Sequence, residues 1–125
     1  MRYSLLVLSP EATEAEIGEE AMAWGRAAFD AYAKELDSAG VLVSADILQP
    51  VAASTTVSVR DGATTVQDGP FADTKEKLNG TFVLEVADLD AAIAWAEKCP
   101  GAQYGAVEIR PSAVVFADGS WHAAV

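Results

Sequence analysis

Glu85, Glu108 and Arg110 fall on the polar side of two alternating stretches, Thr81 to Val86 and Ala106 to Arg110. The two-residue side-chain period of a strand puts Phe82, Leu84, Val86, Val107 and Ile109 on one face and these three charges on the other. Two carboxylates beside a guanidinium could act as an acid and base pair with an anion-orienting group, one carboxyl protonated and the other ionised. The same residues could equally form an ion pair that satisfies charges enclosed by the fold. A second group is the run Asp68-Gly69-Pro70-Phe71, with Lys75 close behind. It suits a rigid loop at a cleft mouth, with Asp68 as acceptor, Phe71 as apolar wall and Lys75 as contact for an anion. Its local alternative is a turn in which Asp68 bonds to backbone N–H groups ahead, while Lys75 and Glu76 pair in solvent.

Other reactive side chains are scarce. Cys99 is the one cysteine, so neither an intrachain disulfide nor a cysteine-based metal site can form within the chain. It precedes Pro100 at a helix end, a place for a structural thiol. The one histidine, His122, lies near the end of the sequence, where an exposed, idle ring is expected. Glycine-rich phosphate loops, zinc-ligand clusters and nucleophile elbows are missing, so neither cofactor nor metal is expected and no catalytic residue is assigned. The formal net charge of −11 repels nucleic acid and anionic lipid. With an apolar N-terminal run of only Leu5 to Leu8, a cytoplasmic protein is expected.

The elements that must position these residues follow from pattern. At 125 residues and 51% hydrophobic content the chain suits one domain, with a core over about 1–111 and a C-terminal extension over 112–125. Tyr3 to Leu8 predicts a central strand buried on both faces. Thr13 to Glu16 has capping-box spacing, and Met22, Phe29, Tyr32, Leu36 and Ala39 recur at helical intervals up to a Gly40 cap. Arg26, Asp30 and Lys34 are spaced for surface ion pairs. Val41 to Gln49 reads as a strand, and Asp61-Gly62 between two β-prone runs predicts a hairpin. Residues 68–80 read as irregular, followed by a strand over Thr81 to Val86. Asp88 caps a second helix with a stripe of Leu89, Ala92, Ile93 and Ala96, and Ala106 to Arg110 is a last core strand. Ala113 to Phe116 could be a short strand, and Trp121-His122 is left as tail. The order predicts an α+β fold of ferredoxin-like βαββαβ type with an inserted β-hairpin. Helices on one face leave the other bare, so a homodimer closing two sheets into a dimeric α+β barrel is expected.

The segment Asp68-Gly69-Pro70-Phe71-Ala72-Asp73-Thr74-Lys75-Glu76 resembles the signature of the DGPF branch of the YCII-like family, with Asp73 where Glu is usual. The resemblance extends through Gly80-Thr81-Phe82, Asp88 to Ala92, Cys99-Pro100 and Glu108 to Pro111. It implies a dimeric α+β barrel and a small-molecule ligand of unknown identity. Members are often encoded beside alternative sigma factors, so a regulatory interaction module is the other function it implies. The wider family suggests a His and Asp pair for proton transfer, but no histidine stands in the first long helix here. A cleft chemistry of this chain would therefore use carboxylates.

Overall fold

The computed structural model describes residues 1–124, the side chain of Glu14 aside. Its elements are β1 (Arg2–Ser9), α1 (Glu14–Ile17), α2 (Glu19–Ser38), β2 (Leu42–Ile47), β3 (Thr55–Arg60), β4 (Ala63–Asp68), β5 (Lys77–Glu85), α3 (Leu89–Lys98), β6 (Ala106–Pro111), β7 (Val114–Ala117) and β8 (Ser120–Ala123). The chain is α+β. Its main sheet has the order β2-β5-β1-β6 with every pairing antiparallel, while β3–β4 and β7–β8 are separate hairpins.

β1 is central, but its two faces differ. Tyr3, Leu5, Val7 and Ser9 are buried, whereas Arg2, Ser4, Leu6 and Leu8 are half-buried. The expectation of a strand buried on both faces is corrected, because helices cover one side only. On that side Tyr32 and Leu36 of α2 and Ala92 and Ala96 of α3 pack with Leu5, Val7, Phe82 and Leu84. The Phe82 ring meets Phe29 stacked at 6.2 Å and Tyr32 edge-on at 5.1 Å. The Tyr32 hydroxyl donates to the Trp95 carbonyl at 2.8 Å, satisfying an acceptor near the end of α3. Leu89 and Ile93 are 50% and 39% exposed, so the buried stripe of α3 is narrower than predicted and consists of its small residues. Cys99 is buried, and desolvation pushes its thiol above the usual range, which keeps it protonated and unreactive.

Local signals account for the ends of elements. The Val41 N–H donates to Leu36 O and the Gly40 N–H to Asp37 O, a Schellman stop that needs the positive φ of 73° at Gly40. Asp88 accepts from the Ala91 N–H at 2.9 Å and starts α3. Lys34 pairs with Asp30 at 2.8 Å. Asp61-Gly62 has φ of 52° and 77°, the primed turn predicted between β3 and β4. Asp118-Gly119 repeats it at 53° and 80°, folding Trp121 and His122 into β8 in place of the expected tail. The final residue of the predicted 112–125 extension lies outside the described residues. Among the described residues no helix is long and apolar enough to cross a membrane.

Candidate functional site

β5 begins at Lys77, four residues earlier than the alternation from Thr81 predicts, and its first turn of pairing with β1 is irregular. Val7 faces Gly80 and Leu8 faces Leu78, so Asn79 is an extra residue in the ladder. Uninterrupted pairing would set Asn79 against Leu8 and carry Lys77 to the helix-free side. The bulge instead brings Lys77 opposite the buried Ser9 and Leu78 opposite Leu8. Asn79 is held in place by its own amide, which donates to the Ser9 hydroxyl and, at 3.4 Å, to the Ser9 carbonyl. Its backbone carbonyl accepts from the Leu48 N–H at 2.8 Å, tying β5 to the segment after β2. Gly80 is needed beside it, since a Cβ there would lie 2.9 Å from the Asp46 carbonyl oxygen.

Lys77 and Leu78 form one wall of a cleft of about 470 Å³. Residues 48–54 form a second wall, largely apolar through Leu48, Pro50, Val51 and Ala53, with Gln49 and Ser54 as its polar members. Pro70, Ala72 and Thr74 form the third. Glu11 braces the second wall by accepting from the Val51 N–H at 2.9 Å. The third wall is clamped to the β3–β4 hairpin. Gly69, at φ 97°, donates from its N–H to Ser54 O and accepts at its carbonyl from the Thr56 hydroxyl, both at 2.8 Å. The Gln67 amide adds a bond to Pro70 O at 3.2 Å. Lys77 is the cleft's ionisable lining residue. Its side chain is 16% exposed and its ammonium lies 3.0 Å from the carboxylate of Asp73, which is 97% exposed.

Of the loop residues singled out from sequence, Asp68 ends β4 opposite Thr55, and its carboxylate makes no hydrogen bond among the described residues. The bonds that hold the loop come from Thr56, Gln67 and Ser54 instead, so the turn expected from Asp68 is corrected. Phe71 is 78% exposed and is not among the cleft's lining. Lys75 is exposed, and the cation in the cleft is Lys77. Lys77 was missed because a bulge depends on pairing with a distant strand.

Glu85, Glu108 and Arg110 all lie on the helix-free face, where alternation puts them, but they do not form one cluster. β1 runs between β5 and β6, with Arg2 opposite Glu85 and Leu6 opposite Glu108. That offset sets the two glutamates roughly 15 Å apart at the backbone. Glu85 lies 3.3 Å from the N-terminal amine and 3.4 Å from Arg2 Nε, beside a depression of about 320 Å³ that Val115 and Ala124 also line. Arg2 Nε is buried without a hydrogen bond of good geometry, so its contact with Glu85 is ionic only. Arg110 pairs with Glu108 at 2.6 Å, with both side chains about half exposed or more. Arg2 and Arg110 are both cations of this face. Glu85 sits at the opposite end of β5 from Lys77, roughly 25 Å away along the strand. His122 is exposed, its Nε2 within 3.0 Å of Ala117 O and 3.1 Å of Ser120 Oγ, so it staples its own hairpin. Among the described residues no three His, Cys, Asp or Glu side chains converge to hold a metal.

Comparison with known proteins gives two findings. Residues 1–114 match the YCII-related domain. An uncharacterised protein of Rhizobium meliloti (strain 1021) is 32% identical over 116 residues, covering 91% of this chain and 94% of the relative.

Proposed function

The chain belongs to the YCII-related family, and from that premise we propose that it is a small-molecule-binding protein of the DGPF branch, working as a homodimeric α+β barrel of ferredoxin-like subunits. The observation that carries the binding reading is the cleft of about 470 Å³, which Pro70, Ala72 and Thr74 of the Asp68 to Glu76 segment wall and Lys77 lines. That size lies within the range of roughly 300–1,000 Å³ usual for small-ligand sites, and apolar walls with few polar groups are their usual composition. Assignment to the branch rests on the Asp68-Gly69-Pro70-Phe71 run lying in the loop that builds this cleft. The subunit reading rests on the strand order β2-β5-β1-β6 with both long helices on one side.

The dimer is supported by apolar surface that a single chain leaves in water. Leu6, Leu8, Leu78 and Val83 lie on the helix-free face, and a one-sided sheet is covered most simply by a second sheet. Val57, Val59 and Val66 are more than half exposed on one face of a hairpin joined to no other sheet, and lone hairpins are marginal in water. Glu85 and Glu108 stand outside the cleft with partners of their own, so the proposal gives them no proton transfer. A second reading, a non-catalytic interaction or regulatory module, is favoured by Phe71, whose ring projects 78% exposed from the signature loop.

A metabolite-library titration followed by NMR of methyl-labelled protein tests the binding reading. Hits should shift the methyl signals of Leu48, Val51 and Leu78. A library that moves only signals of Val57, Val59 or Val66 would refute it. Sedimentation at micromolar concentration should show a dimer, and a stable monomer would refute the barrel.

A further inference from the structure

We infer that the cleft takes a compact monocarboxylate with an apolar body, Lys77 supplying the counter-charge and Asp73 holding that ammonium until the ligand displaces it. This rests on the binding reading of the cleft given above. One ion pair is markedly asymmetric. The Lys77 side chain is 16% exposed and that of Asp73 is 97% exposed. A lysine with most of its side chain packed away holds its ammonium in one place, whereas an exposed carboxylate can leave for water at little cost. An ammonium has three donors, and among the described residues Asp73 is the one acceptor found for Lys77. Two donors are therefore open to a ligand in the cleft that Lys77 lines. Gln49 and Ser54 add polar side chains to the same lining.

Charge count selects the ligand class. One lysine neutralises one negative charge, and no arginine lines the cleft to clamp a dianion. A phosphate ester would bring a second charge into the field of a chain already at −11. A monocarboxylate matches the single cation. Most of the remaining lining, Leu48, Pro50, Val51 and Leu78 among it, is apolar and favours an apolar body, with Gln49, Ser54 and Thr74 as the few polar groups.

The test uses two acid and amide pairs, benzoate with benzamide and 3-methylbutanoate with 3-methylbutanamide. Each is titrated into the full chain with labelled Leu, Val and Ala methyls. The acids should bind about tenfold or more tighter than their amides, the scale of a hydrogen-bonded charge. Lys77→Met, isosteric enough to keep the cleft filled, should erase that preference. Asp73→Asn removes the competing carboxylate and should tighten the acids about threefold while leaving the amides unchanged. Should Lys77→Met fail to fold by its thermal melt, Asp73→Asn decides alone. Amides binding as well as acids, or acids weakened by Asp73→Asn, overturn the inference and leave the cleft a neutral-ligand site. If neither acids nor amides move the methyls of Leu48, Val51 and Leu78, the binding reading falls with it.

Discussion

Asn79→Ala tests whether the bulge that sets Lys77 opposite Ser9 is held by the side chain at its apex. The Asn79 amide donates to both oxygens of Ser9, and Ser9 is 2% exposed. Truncating the amide removes a net hydrogen bond of about 1 kcal/mol and strands a buried hydroxyl at about 1–2 kcal/mol more. A loss of about 2–3 kcal/mol follows. For a domain of this size that lowers Tm by about 8–12 °C. Ser9→Ala is milder, about 1 kcal/mol, because the Asn79 amide is only half-buried and can turn to water. The double variant should lose less than the sum of the singles, by about 1 kcal/mol, since each single already destroys the shared bond. Urea melts of the four proteins measure this cycle. Additive effects, or an Asn79→Ala loss below about 0.5 kcal/mol, would refute the idea that this pair sets the bulge. Asn79→Ala should also shift the Leu78 methyls, because Leu78 owes its place opposite Leu8 to the same irregularity.

Tyr32→Phe removes the donor to the Trp95 carbonyl and should cost about 1–2 kcal/mol by urea melt, the lower figures of the range because Trp95 is half-buried. Burial raises the acid groups of both Tyr32 and Cys99, so the folded chain keeps protons that the unfolded chain releases. Their contribution is complete at neutral pH and falls as pH rises from about 9. Tm should therefore drop between pH 8 and 10.5, and Tyr32→Phe should flatten that slope; a slope unchanged in the variant would refute the assignment. Asp68→Ala should change stability by less than about 0.5 kcal/mol, since its carboxylate holds no hydrogen bond in the loop. Arg110→Ala separates two states of the helix-free face: in the proposed dimer the pair with Glu108 is desolvated and its loss should cost about 3–5 kcal/mol. A cost below about 1 kcal/mol, with unchanged sedimentation, would mean that the face stays in water.

Period-two alternation assigned Glu85, Glu108 and Arg110 to the correct face, because which side of a sheet a residue takes is a local property of the strand. It could not assign them to rows. Whether Glu85 meets Arg110 depends on strand order and register, and here β1 intervenes with Arg2, which takes Glu85 for itself. The cap at Asp88 and the turn at Asp61-Gly62 were readable for the same reason as the faces, each being decided within a few residues. Asp118-Gly119 carried an equal turn signal, but the short stretch beyond it has only weak β character and reads as tail.

The cleft residue is the informative failure. Lys75 and Lys77 are two apart, and on a regular strand they would share a side, so nothing in their spacing distinguishes them. What distinguishes them is that β5 begins at Lys77, with an extra residue at Asn79 fixed by a hydrogen bond to Ser9, 70 positions earlier in the chain. A charge placed by such a long-range contact can be seen only once the sheet is assembled. The same dependence ties the site to the fold: any change that lets β5 pair regularly with β1 would turn Lys77 from the Ser9 side of the sheet to the helix-free face and reposition the cleft's cation, with every residue of the Asp68 to Glu76 signature still in place.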